Sequence, residues 1–229
     1  SRGLVAHFVH DADPFTPDQI AVLVNVSGGS RIDTFTFNDS GEEAGTWSAP
    51  VSLVAPNPLK NFEVAYAGDA AGFAFLGASI NSFSFAPANG TFPADFFLTR
   101  FSDSGGVDSS FGGGNGWVRT DFQDLIPLAG AAYSSDVVRA LAIRPADGTI
   151  VAAGYYEADT GGGDTWLLAQ YHPDGTPDDQ FGNVTPQDGR RTGPQGFAQA
   201  VALQADGKIV AGGSVSGVEA LFGVVRYAT

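Results

Sequence analysis

The sequence ALAIRPADGTIVAAG at residues 140–154 returns as AVALQADGKIVAGG at residues 200–213, one residue shorter in the turn. In both copies an Asp-Gly pair separates two short apolar runs. Asp-Gly between β-forming residues is a strong hairpin signal, because the turn needs residues that tolerate positive φ at little cost. A phrase that recurs in this way indicates an array of one supersecondary unit.

A second phrase recurs with it. Residues 95–112 (DFFLTRFSDSGGVDSSFG) align with residues 165–182 (TWLLAQYHPDGTPDDQFG) at an offset of 70. Combined with the hairpin, this predicts four antiparallel strands in each unit, with a period of about 60 residues. An aromatic residue ends each third strand, at Phe37, Phe101, Tyr171 and Tyr227. The predicted repeats are residues 1–55, 56–125, 126–192 and 193–229, of which the last is incomplete.

Small and bulky side chains alternate in the first strand of the later units. Ala140 and Ala142 face one way and Leu141 and Ile143 the other. Neither face is polar, which favours a strand buried on both faces, such as the innermost strand of a propeller blade. We therefore predict a single all-β domain over residues 1–229, a β-propeller of about four four-stranded antiparallel repeats. A stacked antiparallel β array, or part of a larger propeller, is the alternative.

The repeated phrases resemble the delta-60 repeat family, a bacterial group of tandem units of this length. The resemblance lies in residues 200–213, 95–112 and 116–122, which give its hairpin, its third strand with a closing Phe-Gly, and its fourth strand in order. It extends over about residues 60–229, while residues 1–55 match only in layout. The resemblance implies a propeller in secreted or surface-associated proteins, without a common enzymatic activity.

The composition excludes several classes of function. The 11 Lys and Arg against 25 Asp and Glu give a net charge of −14, which argues against nucleic-acid binding. No run approaches the roughly 20 apolar residues of a membrane-spanning helix. Cysteine and methionine are absent, and the chain opens at Ser1. These features favour a processed protein in an oxidising compartment, so we expect an extracellular, cell-surface or periplasmic location.

No catalytic motif is present, and the protein is predicted not to be an enzyme. Neither a nucleophile elbow, a zinc-protease helix motif nor a phosphate-binding loop occurs. The three histidines, His7, His10 and His172, lack a metal-ligand spacing and are expected to be structural or exposed. The glycine run at residues 112–116 is expected to be a loop between the third and fourth strands.

No cofactor is predicted. Calcium is the one ion worth weighing, because it takes oxygen ligands from Asp-rich loops. Asp11, Asp13 and Asp18 form the best cluster, but they lack the spacing and the glycine of an EF-hand. Asp-Pro and Thr-Pro-Asp are also common turn sequences, which is the interpretation that we favour.

The stretch FSFAPANGTF at residues 83–92 has no counterpart in the other units. If it packs against its own blade, Phe83, Phe85 and Phe92 are core, which we favour. If it is exposed, these three rings are the predicted partner contacts.

The function that these observations favour is a non-enzymatic, extracytoplasmic module. It would serve a structural or protein-binding role, as an accessory subunit of a larger surface assembly, with protein partners. A carbohydrate-binding or carbohydrate-active propeller, with a glycan as its ligand, is the alternative.

Overall fold

The computed structural model describes the chain in two levels of detail. In the N-terminal part only the strands are described, at residues 4–9, 19–26, 29–37, 45–47, 51–53, 59–68 and 74–81. Backbone and side chains are described for residues 94–101, 107–125, 135–157, 163–183, 187–217 and 221–228. No helix in the described part of the chain is long and apolar enough to span a bilayer.

The first two units are successive antiparallel sheets. Unit 1 contains β1 (Leu4–Val9), β2 (Gln19–Val26), β3 (Gly29–Phe37), β4 (Gly45–Trp47) and β5 (Val51–Leu53). Two short strands stand in place of the single fourth strand expected for unit 1, and β4 and β5 pair separately with β3. Unit 2 contains β6 (Leu59–Gly68), β7 (Ala74–Asn81), β8 (Ala94–Phe101) and β9 (Trp117–Thr120). In unit 2 each strand pairs antiparallel with the next along the chain.

The last two units share one long strand. Unit 3 contains β10 (Ser134–Ile143), β11 (Ile150–Ala158), β12 (Thr165–Tyr171) and the first part of β13 (Arg190–Leu203). Unit 4 contains the rest of β13, then β14 (Ile209–Val215) and β15 (Leu221–Tyr227). β13 pairs with β12 up to Gln195 and with β14 from Gly196 onward. The outer strand of unit 3 therefore continues directly into the inner strand of unit 4.

The Asp-Gly hairpins form as the sequence predicts. Gly148 and Gly207 have φ of +72° and +86°. The Asp147 carboxylate accepts a hydrogen bond from the Thr149 amide at 3.0 Å, and the Asp206 carboxylate accepts one from the Lys208 amide at 3.2 Å. The turn is thus stabilised by its own aspartate, which is the mechanism that makes Asp-Gly a turn sequence.

The inner strands of consecutive units lie side by side. β1 contacts β6, β6 contacts β10, and β10 contacts β13. In a propeller the strands of each unit follow one another from the inside outward, and the units stand side by side around their inner strands. The arrangement seen here is of this kind. The predicted all-β, propeller-like class is confirmed. The strands form two sheets, one of β1–β5 and one of β6–β15, and both sheets are open. The repeat boundaries given above stay a prediction.

Two core clusters lie between the described units. The first cluster joins units 2 and 3, and β12 contributes Leu167, Ala169 and Tyr171 to it. The second cluster joins units 3 and 4, and β12 contributes Trp166 and Leu168 to it. Because side chains alternate across a strand, β12 packs against unit 2 on one face and unit 4 on the other.

One expectation about the inner strands is wrong. Ala200 and Ala202 are exposed, whereas Val201 and Leu203 pack against the second cluster. The small residues lie on the face of β13 turned away from the core, so this strand is covered on one side rather than on two. The alternation of small and bulky residues marks which face meets the core.

Candidate functional site

Three carboxylates from units 2 and 3 converge at the junction of these units. Asp95 lies near the start of β8, Asp121 follows β9, and Asp136 lies in β10. Each offers an oxygen to a group in which all the oxygens lie within 4.8 Å of one another. Asp95 and Asp136 are buried and Asp121 is exposed. We call these three residues the carboxylate cluster.

The hydrogen bonds within the carboxylate cluster are few. Asp95 Oδ2 accepts from Nε of Arg119 at 2.5 Å. Asp136 Oδ2 accepts from the Phe122 amide at 3.0 Å, while its Oδ1 is buried without a hydrogen-bond partner among the described residues. Asp121 Oδ1 accepts from the Gln123 amide at 2.8 Å. Among the described residues Arg119 alone donates to a carboxylate of the cluster from a guanidinium, while Arg190 donates to the backbone carbonyl of Asp121. One buried carboxylate oxygen remains unsatisfied, which is costly.

Burial and like charge raise the pKa values of both buried members. Burial raises the pKa of Asp95 to about 6, against the lowering effect of Arg119 and with a further rise from Asp121. Burial also raises the pKa of Asp136 well above its usual range, and the Phe122 amide only partly offsets this. Asp95 and Asp121 add to that rise through their negative charge. The ionised cluster is thus a place where added positive charge is favourable.

The repeat itself does not require these carboxylates. The junction of units 3 and 4 can be compared with the junction of units 2 and 3. Strand pairing shows that β8 corresponds to β12, β9 to the start of β13, and β10 to the end of β13. The residues there that correspond to Asp95, Asp121 and Asp136 are Thr165, Pro194 and Gly196. The corresponding strands pair at that junction without acidic residues, although there the outer strand runs directly into the next inner strand. The carboxylate cluster is therefore a specific addition to the junction of units 2 and 3.

A cavity of about 300 Å³ adjoins the carboxylate cluster. Asp121 belongs to both, Arg119 lines the cavity, and Arg190 crosses from unit 3 to bind the Asp124 carboxylate at 2.5 and 2.9 Å. Its lining is mostly polar or charged: Arg119, Thr120, Asp121, Tyr171, Pro177, Asp188, Gly189 and Arg190. Arg119 binds Asp95, and Arg190 binds both Asp188 and Asp124, so Arg190 links unit 3 to unit 2 across this cavity.

A second titratable group has a structural explanation. It consists of one potential ligand atom each from His172, Asp178 and Asp179, which lie within 4.8 Å of one another. The sequence spacing of these residues predicts no metal site. Asp178 Oδ1 accepts from the Gln180 amide at 2.9 Å. Asp108, the corresponding residue of unit 2, accepts from the Ser110 amide at 2.9 Å in the same way. Asp178 is thus a turn residue of the repeat, and His172 is exposed as expected.

β15 exposes large apolar side chains. Phe222 is 81% exposed, Leu221 61% and Val224 60%. When Tyr227 at the end of β15 is aligned with Tyr171 at the end of β12, Phe222 and Val224 correspond to Trp166 and Leu168. Those two residues of β12 are 0% exposed because unit 4 covers them. We call the face of β15 that carries Phe222 and Val224 the open face; Leu221 lies on the other side of the strand. It is the surface to which the next unit binds elsewhere in the same chain.

Several residues singled out from the sequence lie outside the described residues. These are the predicted partner contacts Phe83, Phe85 and Phe92, the candidate calcium ligands Asp11, Asp13 and Asp18, and His10. His7 lies in β1, for which only the strand is described. The glycine run at residues 112–116 links β8 to β9 through a short 3₁₀ turn at Gly112–Gly114, as a loop should.

The chain resembles known proteins at the level of its fold. A family model described as a domain of unknown function (DUF5122) beta-propeller matches residues 146–181 and 204–229. These segments contain the Asp-Gly hairpin of unit 3, β12 and most of unit 4. The match supports a propeller-like repeat family. No curated protein matches the chain.

Among solved structures, an endo-arabinase from Bacteroides thetaiotaomicron VPI-5482 is similar at 12% identity and a TM-score of 0.45. The likeness covers 94% of this chain and 72% of the arabinase chain. At this identity it does not extend to activity or substrate.

Proposed function

We propose that the protein is a non-enzymatic, extracytoplasmic β-propeller that serves as a protein-binding module of a larger surface assembly. The observation that carries this proposal is the open face. Phe222 is 81% exposed at a position where unit 3 has a fully buried tryptophan. Large apolar side chains grouped on a surface mark interaction sites, because burying them removes apolar area from water.

The backbone of β15 supports the same proposal. β9 pairs with β8 and β13 pairs with β12, so the third strands of units 2 and 3 are covered by a fourth. Within the part of the chain that the structure describes, β15 pairs with β14 alone. A strand with one free edge presents unpaired amides and carbonyls that can accept another strand. The open face and the free edge belong to the same strand, so one partner can satisfy both.

The partner that fits the open face is a second copy of this chain. Within one chain the equivalent face of β12 packs against the next repeat unit. A second copy of the chain carries the same repeat units and an open face of its own. Two open faces related by a two-fold axis would each bury the other's Phe222 and Val224. The net charge of −14 opposes such an encounter. Salt screens that repulsion and leaves apolar burial unaffected.

We expect the purified chain to form a dimer that strengthens as salt is raised, and the variant Phe222→Ser to weaken it. Burial of a phenylalanine side chain contributes about 1.5–3 kcal/mol and the symmetric dimer buries two, so the dissociation constant should rise about hundredfold or more. Sedimentation velocity over a range of concentrations measures this constant. The matched control is Ala202→Ser, which places the same hydroxyl at an exposed strand position outside the open face.

Two outcomes would contradict this assignment. If Phe222→Ser and Ala202→Ser dimerise as the wild type does, the contact lies elsewhere. If the chain stays monomeric and a photoreactive residue at position 222 crosslinks to residues 4–53 of the same chain, the open face closes the ring internally. In that case it binds no partner, and the proposed function loses its support.

The location and family are proposed on the sequence. Absence of cysteine and the motifs at residues 95–112 and 200–213, which resemble the delta-60 repeat family, support an extracytoplasmic protein of that family. Immunodetection of the protein in envelope and cytosolic fractions of its native cells tests this. A purely cytosolic signal would contradict it.

A carbohydrate-binding role is the second candidate, and the polar cavity favours it. Its volume of about 300 Å³ admits a small polar ligand, with Asp121 and Arg119 on its wall. Glycan-array binding that is lost in Asp121→Asn would support this role. A blank array, together with no hydrolysis of polysaccharides, would eliminate it.

A further inference from the structure

We propose that the carboxylate cluster binds a hard divalent cation of the Ca²⁺ class, which ties unit 2 to unit 3. This goes beyond the protein-binding function and is independent of the open face. The oxygens of Asp95, Asp121 and Asp136 lie within 4.8 Å of one another. Because Ca²⁺ lies about 2.3–2.6 Å from each ligand oxygen, two ligands of one ion can be up to about 5 Å apart. One ion can therefore reach all three carboxylates.

The buried oxygen of Asp136 points independently to a ligand. Asp136 is 0% exposed, and its Oδ1 has no hydrogen-bond partner among the described residues. Buried carboxylate oxygens are normally satisfied by donors or by metal ions. At the next junction the corresponding residue is Gly196, so no structural rule of the repeat places a carboxylate here. A cation that shares Oδ1 with the two neighbouring carboxylates would remove the unsatisfied atom.

The other contacts leave oxygen atoms for the ion. The described hydrogen bonds engage Oδ2 of Asp95, Oδ1 of Asp121 and Oδ2 of Asp136. Each carboxylate thus keeps a second oxygen. Arg119 binds Asp95 through Nε, and Arg190 donates from Nη1 to the backbone carbonyl of Asp121. Arg190 is already shared with two carboxylates outside the cluster, so the three negative charges of the ionised cluster exceed the positive charge beside it, and an added divalent ion neutralises the excess.

The donor set selects the class of ion. All three ligands are carboxylate oxygens, which suit Ca²⁺, Mg²⁺ or Mn²⁺ and not the thiolate- and imidazole-preferring metals. Ca²⁺ takes 6–8 oxygen ligands in flexible geometry, whereas Mg²⁺ demands a tight octahedron at about 2.0–2.1 Å. Asp121 is exposed, so the ion can enter from solvent and keep water ligands on that side. A spread of up to 4.8 Å between oxygens fits the larger ion.

The ligands come from three strands or strand ends in two units. An ion held by β8, by the residue after β9 and by β10 would connect unit 2 to unit 3 next to the single parallel pair between Ser135 and Ala94. A ligand that binds only the folded state stabilises it by an amount that grows with the logarithm of its concentration above the dissociation constant. Ca²⁺ should therefore raise the melting temperature, and a chelator should reverse the rise.

The experiment is isothermal titration calorimetry of the whole chain with CaCl₂ in chelator-treated buffer. We expect one ion per chain, and an affinity at least tenfold weaker in Asp121→Asn and Asp95→Asn. Asp121 is exposed and Asn keeps its shape, so this variant should fold. The matched control is Asp179→Asn, which removes the same charge from an exposed turn of unit 3 and from the His172 group. Its affinity should stay within twofold of the wild type.

Four results would overturn the proposal. The first is no heat of binding. The second is several weakly bound ions that all variants bind equally, which would be counterions of the acidic surface. The third is loss of binding in Asp179→Asn alone, which would place the ion at the His172 group. The fourth is tighter binding of MgCl₂ than of CaCl₂, which would contradict the Ca²⁺ class.

Discussion

Replacing Trp166 with alanine is expected to lower the free energy of unfolding by about 3–5 kcal/mol. The indole is fully buried between unit 3 and unit 4, in the second core cluster with Leu168, Ala198 and Ile209. Its Nε1 also donates a hydrogen bond to the Ser214 carbonyl at 2.8 Å. Alanine removes the ring, leaves a cavity and leaves that carbonyl without its donor, so three costs add.

The control for Trp166→Ala is built into the repeat. Phe222 occupies the corresponding position of unit 4, yet it is 81% exposed. Phe222→Ala should change the stability of the monomer by no more than about 0.5 kcal/mol. Urea denaturation followed by circular dichroism measures both variants, at a protein concentration low enough to keep the chain monomeric.

The comparison also tests the order of the units. If both Trp166→Ala and Phe222→Ala cost little, units 3 and 4 do not pack through Trp166 as the structure shows. A large loss for both would mean that Phe222 is buried in solution. The open face would then be covered within the chain, which would weaken the proposed binding function as well.

The repeated phrases were sufficient to predict the strands of the later units. β12 and β15 end at the predicted aromatic residues, Tyr171 and Tyr227, because each is a run of β-forming residues. The hairpins at Gly148 and Gly207 followed from turn chemistry alone. These features are local, and local sequence determines them.

Features that depend on neighbouring units could not be predicted in this way. Nothing in the residues around Gly196 shows that β13 serves two units, because the change of partner depends on where β12 and β14 lie. The exposure of Ala200 and Ala202 depends on what covers the inner strand. The sequence identifies which residues alternate on a strand, but not which face is covered.

The carboxylate cluster was missed because its members are far apart in sequence. Asp95, Asp121 and Asp136 come from two units and no short window contains all three. A signal was nevertheless present. Aligning the units shows an acidic residue in place of Thr165 and of Gly196, so the positions that depart from the repeat mark the candidate site. The alignment became usable only once strand pairing had fixed its register.

The second large effect concerns two neighbouring glycines of β14. A Cβ on Gly213 would lie 2.0 Å from the Phe197 carbonyl oxygen and 3.0 Å from the Ala198 Cα. These are backbone atoms of the paired strand at its bulge, so they cannot rotate away. Gly154 meets the Val137 carbonyl oxygen in the same way in unit 3, at 1.8 Å. Both glycines lie opposite a β-bulge, where the strands approach too closely for a side chain.

Gly213→Ala should therefore lower the free energy of unfolding by about 3 kcal/mol, the upper range for an overpacked site. The adjacent Gly212→Ala is the matched control, because successive residues of a strand face opposite ways. Its added Cβ would have its nearest neighbour at 3.8 Å, the Phe222 ring, which is ordinary contact. Alanine there should leave stability unchanged or raise it by up to about 1 kcal/mol. Equal losses for the two variants in urea denaturation would mean that the bulge at Ala198 does not bring the strands together, and that the glycines reflect turn preference alone.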